Sequence, residues 1–376
     1  MNKKQLRLDA GNLVFIFISG IGGFLLSLTG LSIGWMVGTL ITAGSLSLFR
    51  PHWINRTSSR NGLQGFWLRA GQLLLGIQLG QQINLSILNV FDRNWLTITI
   101  MLFASIVLAL LTGFLLYRFT GTDLVTSLYG TTPGGLSSMV GIAADVGANT
   151  AVVSIIQTMR VILVVTTIPF AVSLWNGLGD GRAAGVVQEP LNRISASGLM
   201  IAAAAAVIGC FISKRLHMPA PWLIGSMIGV GIAQTLSGLI SGHNLAIYWP
   251  RELLIIAQLM IGASVGSRLN RDMFAGVART VVIGLLGSLG LMASMLICAL
   301  LVSYLTGISI ITSILAFAPG GIAEMAATSV VLHADSTFVV AVQVLRVLAI
   351  CIVLPPVFSI INRRVPGQKA SNSYAS

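Results

Sequence analysis

The second half of this chain repeats the first. Thr132-Pro133-Gly134-Gly135-Leu136-Ser137-Ser138-Met139 matches Ala318-Pro319-Gly320-Gly321-Ile322-Ala323-Glu324-Met325 at an offset of 186 residues. Without a gap, the same offset aligns Gln157-Thr158-Met159-Arg160 with Gln343-Val344-Leu345-Arg346. Upstream it aligns Gln72-Leu73-Leu74-Leu75-Gly76 with Gln258-Leu259-Met260-Ile261-Gly262, and Gly80 and Asn84 with Gly266 and Asn270. One residue of slippage then pairs Trp35-Met36-Val37-Gly38-Thr39 with Trp222-Leu223-Ile224-Gly225-Ser226. Agreement held in one register over so much chain is the mark of an internal duplication. The repeats are expected at 10–176 and 194–362, with a linker at 177–193 and a polar C-terminal tail at 363–376.

Each copy must fold in lipid. Of the 376 residues, 55% are hydrophobic and only 9% charged, and mean hydropathy is +0.90. An ordinary soluble domain carries about 25% charged residues, so a soluble enzyme and a disordered tail are excluded and an integral membrane protein remains. At about 20 apolar residues per span, the length holds roughly ten to twelve helices. The net charge of +12 comes from Lys and Arg scattered singly between apolar runs, as in cytoplasmic loops, not from a basic face that would read nucleic acid. Cys210, Cys298 and Cys351 lie far apart in apolar runs. They form neither a disulfide framework nor a zinc spacing and read as small buried hydrophobes. Lys3, Lys4 and Arg7 precede an apolar stretch from Leu13 with no small-residue cleavage site after it, which reads as an uncleaved first helix.

Each half holds six apolar segments, about 12–29, 32–49, 67–83, 95–117, 124–147 and 150–175, then about 194–213, 222–240, 252–267, 280–303, 309–333 and 336–361. The fifth in each half is interrupted by Pro-Gly-Gly. Proline removes a backbone donor and glycine has little helical preference, so that segment is either two half-helices or a re-entrant hairpin. Equivalent loops differ in charge. Lys214, Arg215 and His217 follow segment one of the second half, whereas Thr29 to Leu31 carry nothing. Arg50, Arg56 and Arg60 follow segment two of the first half, whereas 241–250 has no Lys or Arg. Arg268, Arg271 and Arg279 outweigh Asp272, against the neutral pair Asp92 and Arg93; the C-terminal Arg363, Arg364 and Lys369 contrast with the balanced stretch holding Asp180 and Glu189. By the positive-inside rule, equivalent loops then lie on opposite faces. The expected fold is an all-α polytopic bundle of two inverted-topology repeats, each about five crossings plus the Pro-Gly-Gly-broken or re-entrant segment, with both termini cytoplasmic. Inverted repeats with broken helices are a signature of secondary transporters.

Arg160 and Arg346 lie about 15 Å into apolar helices at 1.5 Å per residue. At that depth an arginine costs at least ~2.5–3.5 kcal/mol and must face protein or a wet cavity. Gln157 and Gln343, three residues earlier, share its helical face, and Asn149 and Asp335 mark the helix entrance. This polar stripe either neutralises an anion or hydrogen-bonds the broken backbone, and the two roles are compatible. Pro133, Gly134 and Gly135, with Pro319, Gly320 and Gly321, would set half-helix ends at mid-depth, where free N–H groups suit an anionic or carbonyl ligand; a plain hinge is the alternative. Glu324, with Ser138 as its counterpart, could pair with an arginine, couple protons or hold a cation. Asp145 reads as a solvated end. The dispersed His52, His217, His243 and His333 supply no metal-ligand spacing. Gly20, Gly22, Gly23 and Ala202 to Ala206 read as close helix packing, not as phosphate loops.

At the small-residue–Pro-Gly-Gly run with Met139 and Met325, the Gln-x-x-Arg that follows, and the Trp35 and Trp222 segments, the chain resembles the bacterial AbrB/AmoA-type inner-membrane family. That family is built from a duplicated hydrophobic domain and is unrelated to the soluble DNA-binding regulator of similar name. The resemblance covers nearly the whole chain, and Ser138 in place of Glu324 is where the first copy departs. It implies a bacterial inner-membrane location. Members are described as regulators of gene expression, from a genetic effect, or as ammonia monooxygenases, from weak similarity. The residues themselves favour a secondary transporter-like protein for a small anionic solute, with any effect on gene expression indirect; a non-transporting membrane regulator and a membrane monooxygenase are the alternatives. No catalysis, cofactor or metal is expected. The expected partners are the lipid bilayer, a solute with or without a coupling ion, and a further copy of the chain, with no direct contact to nucleic acid.

Overall fold

The computed structural model describes residues 3–29, 33–49, 63–83, 86–134, 139, 142–144, 146–177, 196–241, 249–269, 271 and 277–364. Gly135, Ser138 and Asp145, most of the linker and nearly all of the C-terminal tail fall outside them, as do His52, His243 and the loop carrying Arg50, Arg56 and Arg60. Among the described residues every regular element is helical. The helices are α1 (Lys3–Ser27), α2 (Gly34–Phe49), α3 (Gly65–Gln81), α4 (Ser86–Thr120), α5 (Leu124–Thr131) and α6 (Thr150–Gly177), then α7 (Ala196–Arg215), α8 (Pro221–Ser241), α9 (Arg251–Gly266), α10 (Ala278–Thr306), α11 (Ile310–Phe317), α12 (Ile322–Val331) and α13 (Ser336–Arg364). Among the described residues, six stretches in α4, α6, α7, α8, α10 and α13 are long and apolar enough to cross a membrane. Large apolar side chains such as Phe17, Phe103, Phe211, Ile240 and Leu305 stand exposed along the outer helices, where lipid, not water, would cover them.

Local chemistry sets the boundaries in parallel. Asp123 caps α5 by accepting from the Thr126 N–H at 2.7 Å, and Ser309 caps α11 by accepting from the Thr312 N–H at 3.2 Å. Gly121 and Gly307, at φ 73° and 71°, end α4 and α10 in the left-handed region that glycine adopts without a Cβ penalty. The fifth segment of the second half is two helical pieces: α11 stops at Phe317 and α12 starts at Ile322. All of α12 except its last residue is buried, which satisfies the rule that broken backbone at membrane depth needs protein around it.

The helices pack reciprocally. α1 pairs with α2 and α7 with α8, but α2 then packs on α9 and α8 on α3. α3 meets α9 and α4 meets α10; α6 touches α10, and α13 touches α4. Each half therefore supports the other with the same elements. The tight α1–α2 and α7–α8 pairings rest on glycines, as expected for Gly22 and Gly23. A Cβ on Gly23 would sit 2.6 Å from the Trp35 carbonyl oxygen, and one on Gly225 would sit 2.6 Å from Cys210 Cα. Ala202 and Ala206 are fully buried at the same kind of contact. Cys210 is buried and Cys298 and Cys351 half-buried, and all three are free thiols.

Candidate functional site

A helix that stops inside the protein leaves its last carbonyls without intrahelical partners and concentrates partial negative charge there. α5 and α11 are two such ends, and Gln-x-x-Arg meets both. From α6, Gln157 Nε2 donates to the Tyr129 carbonyl at 2.8 Å and Arg160 Nη1 donates to the Thr131 carbonyl. From α13, Gln343 Nε2 donates to the Leu315 carbonyl at 2.9 Å and to the Ala318 carbonyl at 3.1 Å. Arg346 Nη1 donates to Phe317 at 3.3 Å and Ala318 at 2.7 Å, while Nη2 reaches the Gly320 carbonyl at 3.5 Å and Gln343 Oε1. Tyr129 and Leu315, and Thr131 and Phe317, are themselves 186 residues apart, so the same bonds occur twice.

The helix entrances repeat too. The Asn149 N–H donates to Thr126 Oγ1 and the Asp335 N–H to Thr312 Oγ1; Asn149 Oδ1 and Asp335 Oδ1 cap the N–H groups of Val152 and Phe338. These side chains tie the start of α6 and α13 to the first turn of α5 and α11. The two broken segments are thereby held at both ends by a single following helix.

Of the described side chains that are buried, the charged ones are Arg160, Arg346 and Glu324, at 3%, 1% and 7% exposure. Nε of each arginine, and Gln157 Oε1, lack a partner. Glu324 occupies the first turn of α12, whose preceding Gly321 offers no side-chain cap. The carboxyl group folds back against Gly321, where a Cβ would collide with it, so the half-helix N-terminus is already occupied by an acidic side chain of the protein's own. Pro319 and Gly320 form the turn between α11 and α12, and Val164 of α6 packs against Gly320, so the second break touches the helix that serves the first. Pro133 and Gly134 occupy the matching turn, where Met139 lies against Gly134. Gly135 is beyond the described residues.

Arg268, which the sequence reading assigned to a loop, lies within electrostatic reach of Glu324. It follows α9, is half-buried, and senses the charge of Glu324. Burial lowers its guanidinium from the ordinary arginine range, and the carboxylate raises it again. The signal was present in the repeat register: Arg268 aligns with Gln82 as Glu324 aligns with Ser138, so both charges of the second half are neutral in the first. Gln82 Oε1 instead accepts from Ser336 Oγ at 2.8 Å, bonding the end of α3 to the start of α13. Among the described residues, no group of three or more His, Cys, Asp or Glu side chains converges.

Comparison with known proteins gives a concordant picture. The family described as "Transition state regulatory protein AbrB" matches residues 35–362. The chain is 49% identical to "Uncharacterized protein YhjN" of Bacillus subtilis (strain 168) over 358 residues, covering 93% of each chain. It is 28% identical to "Putative regulator AbrB" of Escherichia coli (strain K12) over 309 residues, covering 80% of this chain and 84% of the relative.

Proposed function

The chain belongs to the AbrB family, and from that premise we propose that it is a secondary transporter-like inner-membrane protein for a small anionic solute. The observation that carries this reading is the charge imbalance of the buried core. Among the described residues, two fully enclosed arginines and a half-buried third are set against a single buried carboxylate, whereas charges in a low-dielectric interior require compensation. Carbonyl dipoles supply part of it. An anion between the two breaks would supply the rest, with Arg160 and Arg346 neutralising it, Gln157 and Gln343 orienting it, and the Pro-Gly-Gly turns forming the backbone cradle.

The halves are inverted repeats in this reading. The reciprocal packing of α2 on α9 and α8 on α3 is what a two-fold relation produces, since each contact then has a mate. The charge contrast between equivalent loops puts that axis in the membrane plane. Both arginines are sealed here, so solute reaches them only when one half moves against the other, as alternating access requires. Each half then crosses an odd number of times. Reporter tags near Asn89 and Asp272 should report opposite compartments; a shared compartment refutes the inversion.

The direct test uses the purified full chain. Small carboxylates and amino acids are screened for thermal stabilisation, since a ligand of the native state raises apparent stability, and stabilisers are then offered to proteoliposomes. Arg160→Gln and Arg346→Gln should abolish flux while still inserting. Normal flux in both variants makes the arginines purely structural. The name of the Escherichia coli relative favours a second reading, a membrane regulator without transport. A reporter response that survives in a flux-dead variant would support that reading.

A further inference from the structure

On the outer face of the bundle a groove of about 360 Å³ runs between α7 and α8, from Ala205 to Met218 on one side and Gly225 to Leu236 on the other. Its floor is backbone: a Cβ on Gly209 would lie 3.1 Å from Gly229 Cα, and one on Gly229 would lie 3.0 Å from the Ala205 carbonyl carbon. Exposed Ile208, Ile212, Ile232 and Leu236 form its walls. From Ala205 to Leu216 the groove follows α7 for about 16 Å at 1.5 Å per residue, close to the depth of one hydrocarbon leaflet.

Two features mark this groove. Ser213 lines it, is 3% exposed, and its hydroxyl has no hydrogen-bond partner, although a buried hydroxyl left unpaired is costly. Just beyond it, Lys214 and Arg215 end α7 and are exposed, with His217 next to them. The matching face of the first half has neither feature. There Thr42 stands where Gly229 does, its side chain fills the approach to Gly22, and the loop from Thr29 to Leu31 has no charge.

We propose that this groove is a binding site for an anionic phospholipid, with one acyl chain along α7 and α8, the ester oxygens at Ser213, and the headgroup phosphate at Lys214 and Arg215. The cations select the ligand, because a juxtamembrane Lys or Arg attracts anionic headgroups and a zwitterionic lipid carries no net charge to answer them. The site is independent of whatever solute the core holds.

Native mass spectrometry of the full chain in detergent, titrated with phosphatidylglycerol or phosphatidylcholine, tests it. Wild type should retain phosphatidylglycerol in preference. Lys214→Gln with Arg215→Gln should weaken that retention about thirtyfold and leave phosphatidylcholine unchanged. Ile232→Trp, a substitution at a wall that is 55% exposed, should fill the channel and weaken both lipids without disturbing the fold. Equal retention of the two lipids by wild type, or unaltered phosphatidylglycerol binding in either variant, overturns the proposal. So does inorganic phosphate competing as well as the lipid, which would make the site one for free anions.

Discussion

The two broken helices use the same residues to different electrostatic ends. Around α5, Tyr129, Met139, Ala143 and Val153 belong to a small apolar cluster. Around α11 and α12, Phe317, Ala318, Ile322 and Met325 belong to the largest core, which draws on helices of both halves. Among the described residues, Arg160 holds one carbonyl, whereas Arg346 holds three together with Gln343. The second break also carries Arg268 and Glu324 where the first has Gln82 and Ser138. The same hydrogen-bond geometry thus recurs at both breaks, while the second alone has a buried carboxyl group beside it.

The largest test of this contrast is deletion of the arginines. Arg346→Ala takes the arginine donor from the Phe317 and Gly320 carbonyls and leaves the Ala318 carbonyl to Gln343 alone, and at about 1.5–3 kcal/mol per charge-assisted bond it should cost about 3–5 kcal/mol. Arg160→Ala should cost about 1.5–3 kcal/mol. Thermal unfolding in detergent would rank them, and an equal or reversed order breaks the comparison. Next come Arg268→Gln and Glu324→Ser, the residues of the first half. Each alone leaves an unmatched charge, while the double variant restores a neutral pair; a coupling of about 0.5–3 kcal/mol is expected from the double-mutant cycle, and strict additivity would mean the two groups act separately.

The third test concerns the glutamines. Gln343→Leu loses two carbonyl bonds and the arginine contact, Gln157→Leu one. At about 1 kcal/mol per bond, the first should melt earlier than the second. The smallest effect belongs to the ends of the two breaks. His333 has φ 52° where the first half has Gly147 at φ 77°. An L-residue is strained there, so His333→Gly should stabilise by less than about 1 kcal/mol and Gly147→Ala should destabilise; chemical denaturation that moved both in the same direction would separate the two turns.

Much of this was legible in the sequence. The register named both breaks, both Gln-x-x-Arg motifs and the helix-entrance pair Asn149 and Asp335, because proline, glycine and a mid-helix arginine impose their constraints locally. The glycines of the first segments were read as packing points, and Gly22 and Gly23 are. Less legible was what the half-helix ends would do. The sequence suggested N-termini open to a ligand, whereas Glu324 lies against Gly321 at the described N-terminus and the arginines face the opposite, carbonyl-rich ends. Nothing along the chain says which end of a break a distant side chain reaches. Arg268 was read as a topology-setting charge because its partnership depends on α9 packing against α12.

The sequence by itself determined that this chain is helical, built for a membrane and interrupted twice, since too few charges exist to clothe a soluble surface and Pro-Gly-Gly cannot continue a helix. It also determined that two arginines had to be enclosed, because a guanidinium facing lipid is too costly. Tertiary structure alone decided what encloses them. The reciprocal packing of the halves brings α6 beside α12 and α9 beside α3, and hydrogen bonds and charges acting over a few ångströms can choose partners only once those helices have met.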